Sequence, residues 1–339
     1  MYFEDKSVLI IGGTGTIGKK IAQEILKQNP KVVRIFSRDE YKQFVLANEL
    51  KDEKRIRFLI GDVRDYERVE RAMTEIDIVF NLAAMKHVPA CEYNPEEAVK
   101  TNVIGVENVI KAAKYQKVES VVYTSSDKAI NPTNAYGATK LLAEKLMQAA
   151  NYSKGRVRTR FVAVRFGNVM GSRGSVIPLF KRQILEQRRI TITNPQMSRF
   201  MMTLTQASRL TMQAAIKAVG GEVFVLKMPV IKLKDLADIV TEETCLRNGI
   251  PLGEVDIQTI GLRPGEKMYE ELMTEEESTL AYDLDNMYAV LPTTGDNNKY
   301  DFYYSSYKKA SIDSYKSSDE KALTKQQVKQ LLTDERLLF

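Results

Sequence analysis

The sequence predicts an α/β protein, a doubly wound parallel sheet with a smaller mixed substrate-binding lobe grafted onto it. Three observations carry the prediction. Apolar runs rich in Val, Ile and Phe alternate with helical patterns, the first run ends in a glycine loop, and the alternation weakens after RFVAVRFGNVMG. Near-continuous apolar strands joined through helices mean a parallel sheet covered on both faces.

In chain order, SVLIIG precedes the helical TIGKKIAQEILKQ, VVRIFS precedes DEYKQFVLANEL, and IRFLIG precedes DYERVERAMTE. IDIVFNLAA precedes NPEEAVKTNVIGVENVIKAAKY, and ESVVYTSS leads to a helix carrying Tyr136. RFVAVRFGNVMG reads as a sixth strand running into a Gly-rich loop, GEVFVLKMP as a further strand of the sheet, and LKDLADIVTEETCL as a helix. The stretches 172–197 and 255–275 are mixed and rich in Arg, Gly and Pro, as a substrate lobe would be. Beyond Glu275 the chain turns acidic and then Tyr/Ser/Lys-rich. That polarity predicts a peripheral surface tail ending in a short helix, TKQQVKQLL.

The 339 residues, 44% apolar and 28% charged, suit an ordinary globular protein with a sizeable core. Fifty basic against 44 acidic residues give a net charge of +6, spread along the chain rather than gathered into a tract. Such an excess suits a phosphorylated small molecule better than nucleic acid, and no nucleic-acid partner is expected. Cys91, Cys245 and the single histidine, His87, have no metal-ligand spacing, which argues against a zinc site or a disulfide framework. No apolar run reaches the roughly 18 to 20 residues of a membrane span. The opening MYFEDKSVLIIGG has no signal-peptide pattern, so a cytoplasmic enzyme with reduced thiols and no membrane partner is expected.

The first strand ends in GGTGTIG and leads into a helix. Gly12, Gly13, Gly15 and Gly18 satisfy the dinucleotide fingerprint, in which a Cβ would obstruct the tight turn and the approach of a pyrophosphate to the helix N-terminus. The end of the second strand, RIFSRDEYK, then bears on the cofactor. It offers Ser37 and Arg38, with Lys42 one turn along, where an NAD binder usually offers an acid. A cationic fork suits a 2′-phosphate, which favours NADP, although Asp39 points the other way. Asp62 and Val63 follow the third strand and NLAAMK the fourth, at strand ends where a dinucleotide lies in such sheets.

TSSDKAINPTNAYGATK, after the fifth strand, concentrates the chemistry. Tyr136 and Lys140 are four apart on a predicted helix and share a face. A lysine ammonium close to a phenol favours the phenolate, making Tyr136 a candidate base for a sugar hydroxyl. Through GGTGTIG, Asp62, NLAA and Tyr136-Gly-Ala-Thr-Lys140 the chain resembles the extended short-chain dehydrogenase/reductases. That superfamily includes epimerases, 4,6-dehydratases and reductases of nucleotide sugars, all beginning with oxidation of a sugar carbon by bound NAD(P). Epimerisation at C4 needs little beyond the tyrosine. Dehydration also needs a base at C5 and an acid for the departing C6 hydroxyl, and the Ser126-Asp127-Lys128 run offers a hydroxyl, a carboxyl and an amine where the sugar should sit.

MKHVPACEYNPEEAVKTNVIGVENVI, SSDKAINPTNAYGATK, VRFGNVMGSRGSVIPLF, MSRFMMTL and GLRPGEKMYEEL together resemble the UDP-N-acetylglucosamine 4,6-dehydratases of bacterial glycan biosynthesis. The resemblance implies NADP contacts from Gly12, Gly15, Thr16, Ile17, Gly18, Ser37, Arg38, Lys42, Asp62, Val63, Lys86, Tyr136 and Lys140. It implies Asp127 as acid, Lys128 as base and Ser126 as support for the sugar hydroxyl, with Lys86, Asn168, Arg173, Arg199 and Arg263 holding the UDP-sugar. A homo-oligomer is expected on the same ground. Implied domains are an NADP-binding Rossmann domain over 1–170, its sheet completed by part of 199–230, a substrate lobe over 171–198 and 231–275, and a tail over 276–339. A UDP-sugar 4-epimerase, a dehydratase that inverts C5 and an NADP-sensing binding protein that has lost chemistry remain alternatives. The last would show damage to the catalytic set, and Ser126, Asp127, Lys128, Tyr136 and Lys140 are all present.

Overall fold

A computed structural model describes residues 1–338 apart from 173, 263–264 and 294–297. Its first half follows the βα alternation of the sequence. The strands are β1 (Ser7–Ile11), β2 (Val32–Ser37), β3 (Ile56–Ile60), β4 (Ile78–Asn81), β5 (Ser120–Thr124) and β6 (Arg160–Arg165). They are joined through α1 (Thr16–Leu26), α2 (Glu40–Glu49), α3 (Tyr66–Ala72), then α4 (Val88–Tyr93), α5 (Pro95–Val99) and a π-helical turn leading into α6 (Gly105–Tyr115), and α7 (Ala135–Tyr152). All residues of β1, β4 and β5 are buried, as strands covered on both faces must be.

The second half supplies β7 (Asn168–Val169), α8 (Val176–Gln187), β8 (Arg189–Ile192), β9 (Ser198–Met202), α9 (Leu204–Lys217) and β10 (Val223–Leu226). After these come β11 (Val230–Lys232), α10 (Leu233–Asn248), β12 (Asp256–Thr259), β13 (Glu271–Met273), α11 (Glu275–Thr279), β14 (Ala281–Asp283) and β15 (Met287–Val290). The chain ends through α12 (Asn298–Tyr303), β16 (Lys308–Lys309), β17 (Tyr315–Lys316) and α13 (Lys325–Asp334).

The main sheet runs β16-β14-β15-β10-β6-β5-β4-β1-β2-β3. From β3 to β10 every neighbour is parallel, and β15, β14 and β16 add an antiparallel edge. Chain order reverses between β1 and β4, so the crevice at their C-terminal ends is where a ligand belongs in such a sheet. A second apolar core lies apart from the sheet. Phe180 and Ile184 of α8, Ile190 of β8, and Leu236 and Val240 of α10 pack with Val328 and Leu332 of α13. The small sheet β11-β9-β7 carries Asn168 and Arg199.

The expectation of a peripheral tail over 276–339 is corrected by this arrangement. β14 and β15 extend the main sheet, with Ala281, Met287, Ala289 and Val290 buried in its core, while α13 closes the second core. Composition misled because the tail is rich in tyrosine, which buries an apolar ring while its hydroxyl finds a partner. Tyr300 donates to the Gly220 carbonyl at 2.5 Å, and Tyr304 to the carboxylate of buried Glu222 at 2.8 Å. The Tyr315 hydroxyl accepts from the Met228 amide at 2.8 Å and donates to the Met228 carbonyl at 3.1 Å.

A buried charge cluster ties these parts together. Arg165, 1% exposed at the end of β6, donates to Glu144 of α7 through Nε at 3.1 Å and Nη2 at 2.6 Å. The same guanidinium donates to Glu277 of α11 at 2.8 and 3.0 Å and to the Leu272 carbonyl at 2.8 Å. Removing one member of such a cluster leaves uncompensated buried charge. Arg165→Met is therefore expected to lower unfolding stability by about 3 to 5 kcal/mol, read from urea midpoints. A loss below about 1 kcal/mol would show that Glu144 and Glu277 do not depend on it.

Candidate active site

The crevice is built from strand ends inward. Gly12 follows β1 with φ +79°, and a Cβ there would stand 2.9 Å from the Ala83 amide nitrogen beyond β4. At Gly18 a Cβ would meet the Gly13 Cα at 2.7 Å, so only glycine lets α1 start this close to the turn. Gly15 is the N-cap of α1 and supplies no capping side chain, which leaves the first amides of the helix to a ligand. A cavity of about 960 Å³ runs from this loop to the second lobe, reaching Phe180, Ile192 and Leu233. The Ser125 and Thr101 hydroxyls beside it are buried without a hydrogen-bond partner. A glycine cradle, an uncapped helix and unpaired hydroxyls fit a dinucleotide.

Gly12, Gly15, Thr16, Ile17, Gly18, Ser37, Arg38, Lys42, Asp62, Val63, Lys86, Tyr136 and Lys140 all line this cavity. The ends of β2 and β3 are already partly engaged. Asp39 caps α2 by accepting from the Lys42 amide at 3.0 Å and pairs with the Lys42 ammonium. Gln43 donates to the Ser37 hydroxyl at 3.0 Å, while Arg38 is 64% exposed with Asp62 at 3.9 Å. Burial pushes the Asp62 carboxyl up, but hydrogen bonds from Arg64 outweigh it and hold the group below its ordinary value.

Beyond β5, Ser126 caps a 3₁₀ turn formed by Asp127–Ala129. Its hydroxyl donates to Asp127 Oδ1 at 2.8 Å, and the Lys128 ammonium donates to Asp127 Oδ2 at 2.8 Å. Asn134 caps α7 by accepting from the Gly137 amide at 2.8 Å, which aims Tyr136 at the turn. Gly137 permits this packing, since a Cβ there would lie 2.1 Å from the Lys128 carbonyl oxygen. The tyrosine phenol lies close enough to the Ser126 hydroxyl and the Lys128 ammonium for both to favour its charged form. Opposite, Asn102 in the π-helical turn Lys100–Ile104 accepts from the Met85 amide at 2.8 Å and donates to Thr139 of α7 at 3.0 Å. That turn fastens the loop after β4 to α7.

One electrostatic expectation is revised. Lys140 donates to the Thr124 carbonyl at 2.6 Å and lies 4.4 Å from the Tyr123 ring centroid, and burial pulls its ammonium down to about 7. Burial likewise pushes the Tyr136 phenol up to about 12, against the opposing pull of the Ser126 hydroxyl and the Lys128 charge. The cation acting on the phenol is thus Lys128, because the α7 backbone directs Lys140 inward onto β5. Lys128 itself is pulled down by burial, yet Asp127 and Glu270 hold it above the ordinary lysine value.

Asn168, Arg199 and Lys86 line the cavity, whereas Arg173 and Arg263 lie outside the described residues. Arg199 is already committed. Its Nη1 donates to the Ser198 and Met268 carbonyls at 2.9 and 3.2 Å, and its Nη2 to the Lys267 carbonyl at 2.9 Å. It therefore holds backbone rather than presenting an open fork for a diphosphate. The residue that sequence reasoning missed is Glu270, 7% exposed, which accepts from Asn168 Nδ2 at 2.7 Å and from the Phe200 amide at 2.9 Å. Its Oε1 is 3.5 Å from Arg199 Nε and 3.9 Å from Lys128 Nζ. Only the segment GEKMYEEL hinted at it, through carboxylates in an otherwise mixed stretch.

Known proteins share this architecture. A family model described as "Polysaccharide biosynthesis protein" matches residues 8–292. A UDP-glucose 4-epimerase of Rickettsia bellii is 42% identical over 335 residues, 97% of this chain and 96% of its own. A UDP-N-acetylglucosamine 4,6-dehydratase (inverting) of Campylobacter jejuni is 42% identical over 293 residues, 86% of this chain and 84% of its own. The X-ray structure of Pen from Bacillus thuringiensis superposes with a TM-score of 0.93 at 54% identity, covering 100% of both chains.

Lys140 gives a pH test of the site. A lysine whose folded value is lowered to about 7 costs stability in full below that pH, and the cost fades as pH rises towards the unfolded value near 10.5. Lys140→Met is expected to unfold at a higher temperature than the wild type at pH 7, with the gap narrowing as pH approaches 10. A gap that does not change with pH would show that the ammonium is not strained by its burial.

Proposed function

The chain belongs to the polysaccharide-biosynthesis protein family, and from that premise we propose that it is an extended short-chain dehydrogenase/reductase acting as an NADP-dependent UDP-N-acetylglucosamine 4,6-dehydratase. The observation that carries this reading is the Asp127–Lys128 pair, its carboxylate buried and its ammonium reaching the cavity, hydrogen-bonded at 2.8 Å beside Tyr136. Epimerisation at C4 has no use for a second acid and base. Elimination of water requires both.

The proposed roles are those that the resemblance implies, and the placement of Asp127, Lys128 and Tyr136 around one turn supports them. The glycine loop and the first amides of α1 would hold the dinucleotide, whose nicotinamide would supply a hydride acceptor for C4 and a hydride donor for C6. Tyr136 takes the proton of the C4 hydroxyl, with the Ser126 hydroxyl and the Lys128 charge favouring the phenolate. A proton shift from Lys128 Nζ to Asp127 Oδ2 along their shared hydrogen bond leaves an amine and a carboxylic acid. The amine then takes the C5 proton while the acid protonates the C6 hydroxyl, which leaves as water. As C6 gains hydride, the Lys128 ammonium returns a proton to C5. The proton held by Tyr136 passes through solvent to the Lys128 amine, restoring the phenolate and the ion pair. NADP is favoured because Asp39 is spent capping α2 while Arg38 remains exposed at the cavity rim.

A UDP-sugar 4-epimerase is the second reading, favoured by the 42% identity to the Rickettsia bellii epimerase over nearly the whole chain. Inversion at C5 is a third, since the Campylobacter jejuni relative bears that designation.

Proton NMR of the protein with UDP-N-acetylglucosamine and NADP in D2O separates these readings. Dehydration is expected to give a C6 methyl signal with deuterium at C5, and its couplings report retention or inversion. UDP-N-acetylgalactosamine without a methyl signal would establish epimerisation instead. Lys128→Ala is expected to lose methyl formation by about 10² to 10⁴-fold while still binding NADP, and Tyr136→Phe to block even C4 oxidation by a comparable factor. Full dehydration by Lys128→Ala would remove that residue from the mechanism.

A further inference from the structure

The segment 265–271 leaves the second lobe and lies across the catalytic turn. The Gly265 carbonyl accepts from Thr133 Oγ1 at 3.1 Å and from Asn134 Nδ2 at 3.3 Å. Lys267 Nζ donates to the carbonyls of Ile130 and Asn131 at 3.1 and 2.8 Å, and Asn131 Nδ2 donates to Glu271 at 3.2 Å. So anchored, the segment inserts one carboxylate, that of Glu270, behind the cavity wall formed by Lys128, Asn168 and Arg199. The Glu270 amide in turn donates to Ser317 of the C-terminal region at 2.9 Å.

We propose that Glu270 is a positioning residue for the elimination step, whose charge sets the proton affinity of the Asp127–Lys128 pair. The inference rests on the dehydratase reading. Both Glu270 oxygens accept from neutral donors, Phe200 N–H and the Asn168 amide, so an uncharged side chain could make much of this tie. A carboxylate kept here instead faces Asp127 and Lys128 from the catalytic turn and Arg199 from β9, and Tyr136 of α7 lies against the same pair. Burial first, and the Asp127 charge second, push Glu270 up to about 7 against the pull of Lys128 and Arg199.

Above that pH its negative charge strengthens the hold of its neighbours on the one proton that the Asp127–Lys128 pair must keep to act as acid and base. Glu270 lies behind Lys128, Asn168 and Arg199 and does not itself line the cavity. Its removal is therefore expected to alter turnover against pH while leaving sugar binding alone.

The test is methyl formation and C5 deuterium incorporation followed against pH for the wild type, Glu270→Gln and Glu270→Asp. In Glu270→Gln the alkaline limb of turnover is expected to move to lower pH by about one unit, with KM for the UDP-sugar within about twofold of the wild type. Below pH 7, where Glu270 is protonated, the two profiles should run parallel. Glu270→Asp retains the charge but withdraws it by a methylene, and its limb should fall between the other two. A Glu270→Gln variant slowed equally at all pH values, with its limb unmoved, would overturn the proposal and leave Glu270 a structural tie. If Glu270→Gln does not fold, an unmoved alkaline limb in Glu270→Asp overturns it equally. Absence of methyl product from the wild type would instead sink the dehydratase reading, whereas normal wild-type dehydration with unshifted variants sinks the role of Glu270 alone.

Discussion

Arg165 sits at the end of β6 with a carboxylate on each side of its guanidinium, Glu144 from α7 and Glu277 from α11, and a third acceptor in the Leu272 carbonyl. A buried guanidinium is tolerable only when its donors are satisfied in fixed directions, so the contacts dictate geometry as much as stability. Glu144 is one helical turn past Lys140 on α7, and Leu272 is two residues past Glu270. One side chain thereby sets both the helix that carries Tyr136 and the segment that delivers Glu270.

Within that frame, burial governs the electrostatics of the crevice. The same loss of solvent drives Tyr136 up, Lys140 down and Glu270 up, in each case against the charged form. Lys128 escapes the trend because two carboxylates face it. The protonation states of Lys128, Tyr136 and Glu270 are thus set jointly.

The C-terminal region links the two cores. β14 and β15 cover the flank of β10, which would otherwise be an open edge strand, and α13 closes the second core against α10. Ser317 and Tyr315 bring the same region to the backbone of Glu270 and Met228. Residues that line no part of the cavity therefore shape its wall.

The βα alternation, the glycine loop and the Tyr136/Lys140 spacing are local patterns, and the sequence by itself determined them. Strand burial, turn sterics and helical periodicity act between near neighbours, so the six parallel strands and the residues at their C-terminal ends could be read without coordinates. Long-range contacts decided the rest. The polar composition of the tail concealed strands and tyrosines whose rings are buried and whose hydroxyls are bonded to distant backbone. Arg199 reads as an open fork until the Lys267 and Met268 carbonyls close on it. Lys140 reads as the partner of the Tyr136 phenol until α7 turns it onto Thr124. Glu270 has no local signature, because what a carboxylate does depends on the dielectric and charges around it, and these come from residues 71 to 143 positions away.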